Sequence, residues 1–332
     1  MNPSYKGVLL ALTAFGIFAS HDAIIKYLGG SYSPFQIVFF SVLFGFPVVT
    51  FLLMRDTAPG HLRPVHPLWT TLRTVAAVIS ASAAFYAFTS LPLAQVYAIL
   101  FAAPLLITVL AIPLLGERVG IRRGLAVLVG LGGVIVVLQP ATTTLTLGHA
   151  TALIAAFTGA FASVIVRKIG RDERPVVLIL YPLMANFVLM GAAMPFVYEP
   201  MSGQDLALLA VIAVLAIVAT NFLIFAYRAA PAATVAPMQY SQIIWASAYG
   251  ALFFGETLEA ATLVGTAVIV ASGLYIVFRE ERGGRSTTTP VLRTRSRMGV
   301  PSAPRVAPFL SSALRGTRRR AAPGGHAQQD GD

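Results

Sequence analysis

The chain has 332 residues, of which 57% are hydrophobic and 11% charged, with a formal net charge of +11. An ordinary soluble domain carries about 25% charged residues, so this composition excludes a soluble globular protein, and its hydrophobicity excludes a disordered one. The absence of cysteine excludes disulfides, cysteine nucleophiles and thiolate metal sites.

A membrane-spanning helix needs about 20 predominantly apolar residues. Ten such spans are predicted, at 7–28, 34–54, 69–90, 93–115, 121–139, 148–167, 176–197, 206–227, 232–254 and 261–278. Their runs are apolar all round, whereas a membrane β-barrel alternates with period two. The fold class is therefore all-α and integral to the membrane. The first span resembles a signal peptide only loosely, through Lys6 and the small pair Ala19-Ser20; its apolar run continues to Ile24-Ile25. Residues 281–332 form a separate material, Arg-rich and Pro/Gly/Ser/Thr-rich, expected to be a disordered basic cytoplasmic tail drawn to anionic lipid. No aromatic interleaving in that tail supports nucleic-acid binding.

Basic residues mark the cytoplasmic side of a membrane protein. With the N-terminus inside and ten spans alternating, 23 of the 24 Lys and Arg residues fall on the cytoplasmic side. Lys26 alone falls outside. The reading is a multi-pass protein of the cell inner membrane with both termini cytoplasmic.

The chain also repeats itself. Pro92, Ala94, Val96 and Gly116-Glu117 match Pro231, Ala233, Val235 and Gly255-Glu256 at one offset of 139, and Phe18-Ala19-Ser20 more weakly matches Phe161-Ala162-Ser163. Five spans per half is an odd number, so the halves enter the membrane in opposite directions, as in many secondary transporters. The expected division is 1–140 for the first repeat and 148–280 for the second.

SHDAIIKYL (20–28), SPFQIVFF (33–40), LPLAQVYAILFAAPLL (91–106), LLGERVGIRRGLAVLVGLGGVIVVL (114–138), APAATVAPMQYSQIIWA (230–246), FFGETL (253–258) and VGTAVIVASGLYIVFRE (264–280) stand in this order. Together they resemble the drug/metabolite transporter superfamily, specifically its ten-helix EamA family. The resemblance covers about residues 5–280. It implies a cytoplasmic-membrane carrier with a central cavity lined mainly by helices 1, 3, 4, 6, 8 and 9, with helices 5 and 10 outside it. Two positions depart from many members: Ser41 stands where an Arg follows the Phe pair of helix 2, and Gln95 and Gln239 stand where an acid opens helices 4 and 9. Substrate assignments therefore do not carry over.

Ionisable residues inside a span cost about 2.5–3.5 kcal/mol each and point to function. Span 1 carries His21 and Asp22, about 21 Å beyond Gly7, and Lys26 near the outer surface. Asp22 and Lys26 are four residues apart and suit a pair, with Lys26 alternatively snorkelling to outer headgroups; His21 reads as a substrate contact, a proton-sensitive switch or a packing residue. In span 9, Gln239, Tyr240 and Gln242 follow Pro237, which breaks the helix; the alternative is interhelical hydrogen bonding. Ser82, Tyr86 and Ser90 form a stripe in span 3. Gln95 and Tyr97 in span 4 sit near the outer entrance, Pro104 lies mid-helix, and Asn221 lies mid-span in span 8, with Tyr227 and Arg228 toward the cytoplasm. These are the candidate substrate-binding residues. Phe101 and Trp245 read as packing or an apolar wall, Arg73 as an anchor in preference to an anion contact. Glu117 and Glu256 read as symmetric structural or gating residues, and Gly124, Gly130, Gly132 and Gly133 as close helix packing.

An acid, a base, amides and tyrosines suit a zwitterion. The expected function is secondary transport of a small polar or zwitterionic metabolite, such as an amino acid or its conjugate, with export favoured because the resemblance includes more exporters. Import of a nucleoside- or vitamin-like compound is the alternative, and a non-transporting receptor or scaffold the alternative of another class. No HExxH, GxSxG or cysteine supports an intramembrane enzyme. No P-loop appears and no cofactor or metal is expected, so coupling falls to protons or exchange. Substrate identity and oligomeric state are not encoded legibly.

Overall fold

The computed structural model describes residues 3–54, 62–117, 119–140, 144–170 and 172–282. All but the first two residues of the predicted tail lie outside these. The described residues form twelve α-helices: α1 (Pro3–Leu28), α2 (Pro34–Met54), α3 (Pro67–Ser90), α4 (Leu93–Leu100), α5 (Ala103–Leu115), α6 (Ile121–Leu138), α7 (Leu147–Ile169), α8 (Pro175–Val197), α9 (Gly203–Ala229), α10 (Ala232–Val235), α11 (Gln242–Phe254) and α12 (Ala260–Arg282). Eight segments are long and apolar enough to cross a membrane, counting α4–α5 as one, and Pro34–Pro47 of α2 is a shorter apolar stretch. The chain is thus an all-helical, multi-span membrane protein.

Prolines set several helix starts. Pro34, Pro67 and Pro175 each open a helix, where the missing N–H costs nothing. Gly116 and Gly255 terminate α5 and α11 with φ of 68° and 62°, a left-handed conformation that glycine adopts without the Cβ clash. Beyond each glycine, the glutamate amide reaches back six residues, Glu117 N to Ala111 O and Glu256 N to Gly250 O. The two endings are therefore built alike.

Two predicted spans are broken mid-course. Span 4 divides at Phe101–Ala102 into α4 and α5, with Pro104 in the first turn of α5. Span 9 passes from α10 through a 3-10 segment, Ala236–Ser241, into α11, because Pro237 withholds a backbone donor. The breaks meet: the rings of Phe101 and Tyr240, 139 positions apart in sequence, lie edge to face with centroids 5.0 Å apart.

The helix pairings mirror each other. α1 runs along α9 and α7 along α3; α11 packs on α1 and α5 on α7; α6 lies along α12, and α2 along α8. Exchanging α1–α6 with α7–α12 turns α1–α9 into α7–α3 and α1–α11 into α7–α5, and returns α6–α12 and α2–α8 to themselves. Close approach permits the α6–α12 seam: a Cβ on Gly265 would stand 2.6 Å from the Gly133 carbonyl oxygen. Gly130 and Gly133 serve packing as expected, but Gly124 and Gly132 have nothing within 4 Å of a Cβ position. Much of the outward face of α6, including Ile121, Leu125 and Leu128, is exposed apolar surface, which hydrocarbon covers in a membrane.

The helix ends define two faces of the bundle. Gly29, just beyond α1, abuts Thr89 at the C-terminal end of α3. The C-terminal end of α7, through Ile165 and Ile169, packs with Trp69 at the N-terminal end of α3. The C-terminal ends of α1 and α7 thus lie at opposite ends of α3, a rod about 36 Å long.

Candidate functional site

At the middle of the bundle, α1 carries His21 and Asp22 into an apolar core, with 1% and 0% of their surface exposed. The His21 Nδ1 lies 2.7 Å from Asp22 Oδ1. Asp22 Oδ2 accepts the hydroxyl of Tyr97 from α4. Tyr97 Oη in turn accepts Gln242 Nε2 from α11 at 3.3 Å. Gln242 gives to Tyr97, Tyr97 gives to one carboxyl oxygen of Asp22, and the His21 ring shares a hydrogen bond with the other. Hydrogen bonds at both carboxyl oxygens offset the desolvation of this buried acid.

Aromatic rings surround it. Phe85 meets the His21 ring edge-on at 6.4 Å, and Phe88 and Phe101 flank Tyr97 at 5.5 and 6.0 Å. These faces offer flat apolar and π surface beside the acid.

Of the sequence candidates, the structure gathers His21, Asp22, Tyr97 and Gln242 into this one network. Lys26 differs. The i, i+4 spacing suggests an Asp22–Lys26 pair or a snorkelling lysine, but the Lys26 ammonium instead sits 2.7 Å from Glu256 Oε1, largely buried, and donates to the Leu91 carbonyl at 2.5 Å. Glu256 lies close because the turn at Gly255 aims it back into the bundle, against Gly250. Tyr240 is buried against Gly273 on α12, and Gln239 is half-buried just before it. Ser82 and Asn221 donate to carbonyls of their own helices, Val78 O at 3.0 Å and Ile217 O at 2.9 Å. Gln95 is buried on α4 and Tyr86 half-buried on α3; Arg73 is half-buried in the second turn of α3. Trp245 packs where Gly16 leaves room and stacks toward Tyr249 at 6.3 Å.

Several polar links were not anticipated from the sequence. Gln36, fully buried in the first turn of α2, clamps the backbone of Glu199 with two bonds of 2.8 and 2.9 Å. At the other face, Glu173, just before α8, accepts His66 N at 2.6 Å. Glu117 pairs with Arg167 of α7, and Lys168 donates to Leu114 O at 2.9 Å while lying 4.2 Å above the Trp69 ring. Only the repeat offset hinted at any of these. In the loop after α1, Tyr32 donates to Asp205 at 2.7 Å, and that bond holds its phenol above the ordinary pKa. Among the described residues, no group of His, Asp or Glu is arranged to hold a metal ion.

Comparison with known proteins agrees with this architecture. The EamA-like transporter family model matches twice, over residues 5–139 and 146–278. An S-adenosylmethionine uptake transporter of Rickettsia prowazekii is 25% identical over 287 residues, covering 85% of this chain and 97% of that one. A riboflavin transporter of Rhizobium johnstonii is 28% identical over 74% of this chain and 80% of its own. A pseudopaline exporter of Pseudomonas aeruginosa is 26% identical over 80% and 94%. A solved crystal structure of another protein superposes with a TM-score of 0.55 at 19% identity, covering 81% of this chain and 96% of that one, which bears on the fold alone. The chain belongs to the EamA-like transporter family, and it is a small-metabolite transporter rather than an enzyme.

Proposed function

We propose that the protein carries a polar or zwitterionic metabolite by alternating access, with the Asp22 centre handling the substrate. The observation that carries this reading is the Gln242–Tyr97–Asp22–His21 network. It joins α1 and α4 of the first half to α11 of the second, so a ligand that competes for the carboxylate alters a contact between the halves. The halves are inverted repeats of 1–140 and 148–280 in this reading; the exchangeable helix pairings and the matching Gly-Glu endings support it. The Arg167 end faces the cytoplasm of the inner membrane, an orientation supported by the basic residues at that end.

Uptake of a nucleoside- or vitamin-like compound is a second reading. It is favoured by the aromatic rings beside Asp22 and by the relatives named for S-adenosylmethionine and riboflavin. An alternating-access carrier is reversible, and relatives of comparable similarity are named for uptake and for export. Direction therefore follows the gradient and coupling, by protons or by exchange.

The test is counterflow in proteoliposomes against amino acids, their conjugates, nucleosides and vitamins, with Asp22→Asn in parallel across pH. Exchange of at least one compound, lost in Asp22→Asn, is expected. A parent protein that moves no member of the panel would overturn the transport reading; an unimpaired Asp22→Asn would remove Asp22 from it.

A further inference from the structure

Two buried ion pairs join the halves, one at each end of the bundle. Lys26 and Arg167 both lie in the last turn of their helices, α1 and α7. Their partners Glu256 and Glu117 each follow the left-handed glycine that ends α11 and α5. Each cation belongs to one half and its acid to the other. The C-terminal ends of α1 and α7 lie at opposite ends of α3, so the pairs sit at opposite faces. Both are largely shielded, with side-chain exposures of 13% and 15% for Lys26–Glu256 and 11% and 5% for Arg167–Glu117.

The Lys26 pair grips a hinge. Lys26 donates to the Leu91 carbonyl, and the second Glu256 oxygen accepts Leu93 N–H at 2.9 Å. The two bonds straddle Pro92, the joint between α3 and α4. Four residues beyond Leu93 lies Tyr97, which holds Asp22. At the other end, Lys168 donates to Leu114 O, three residues before Glu117.

We propose that Lys26–Glu256 and Arg167–Glu117 are the alternate gates of the carrier, each parting when its own end opens. The proposal rests on the transport reading above. Physical chemistry suits ion pairs to this task. A closed pair gains Coulomb attraction but loses hydration, and an open pair regains water at both charges. The two states stay close in free energy, as a cycling gate requires, whereas a large apolar seam would penalise opening by its whole exposed area. The equivalent glutamates, each met by a cation from the last turn of a helix in the other half, give both ends the same device. The Lys26 gate also acts on the centre, because Leu93 and Tyr97 lie on one short helix.

The natural chain has no cysteine, so an introduced one is its sole thiol. Ala94→Cys, beside the Lys26 pair, and Ala111→Cys, beside the Arg167 pair, replace small residues 5% and 0% exposed. Labelling rates with a membrane-impermeant maleimide are measured from each face, in intact cells and in inverted vesicles. Lys26→Gln is expected to raise labelling of Ala94→Cys about tenfold or more without raising that of Ala111→Cys, as a shift in population requires. Glu117→Gln is expected to do the reverse. The charge swap Lys26→Glu with Glu256→Lys restores the parent rate. Unchanged labelling of Ala94→Cys in Lys26→Gln would overturn the gate, as would equal gains at both reporters, the mark of general loosening. The assay needs no substrate, so a shifted labelling pattern upholds the gates even where the counterflow panel fails.

Discussion

Replacing Tyr97 by Phe tests the centre most directly, because it removes one oxygen and little volume. That oxygen donates to Asp22 and accepts from Gln242. A hydrogen bond to an ionised group is worth about 1.5–3 kcal/mol in soluble folds. Inside membranes, interhelical bonds average about 0.6 kcal/mol and reach about 1.7, since the unfolded chain also finds partners. Asp22 has no exposed surface, so its bond takes the upper membrane figure and the neutral Gln242 bond the average. Together they give about 2 kcal/mol. At about 2 °C per kcal/mol for a large chain, Tyr97→Phe is expected to melt about 4 °C lower in detergent, followed by the fluorescence of Trp69 and Trp245. The same substitution in an Asp22→Ala background should cost less by about 1.5 kcal/mol, the coupling of a contacting pair. A Tyr97→Phe protein as stable as the parent, or strictly additive effects, would refute the network as a source of cohesion.

Two further substitutions probe the scaffold. Gly265→Ala places a methyl against Val137 and the Gly133 carbonyl and is expected to cost about 1–3 kcal/mol by overpacking, whereas Gly132→Ala, with open space around it, gains about 0.5–1 kcal/mol from helix propensity. Equal effects in thermal melts would contradict the α6–α12 seam. Gln36→Leu removes both bonds to Glu199, and hydrogen exchange at the Glu199 amide should quicken about tenfold, the factor set by roughly 1.4 kcal/mol; unchanged exchange would mean that other contacts hold that loop.

The membrane class and most helix limits were legible because hydrocarbon imposes length and apolarity directly. Pro34, Pro67 and Pro175 marked helix starts, and Pro237 marked a break. Asp22 and His21 were legible as buried polar groups in need of partners, because burying such groups unpaired is costly. What one sequence cannot order is which polar residues meet. The i, i+4 rule concerns a single helix, and it suggested Lys26 for Asp22. Tertiary packing brought Glu256 to Lys26 from 230 positions away. Gln36 and Glu173 escaped notice for a related reason: each satisfies a backbone group in another element, and nothing in their neighbourhood in the chain records that demand. Ser82 and Asn221 each give one donor to a carbonyl of their own helix, a demand their type alone does not record.

The contact between Phe101 and Tyr240 has a mechanical meaning. Two residues at equivalent positions of a duplicated chain touch only where the axis relating the copies passes between them. A rotation that makes each half adopt the other's shape leaves a point on that axis in place. In the proposed alternating-access cycle, the ring pair would be the stationary element, and the broken spans on either side would swing about it. A bulky or charged side chain there would burden both end states of that cycle equally and so shift no equilibrium between them.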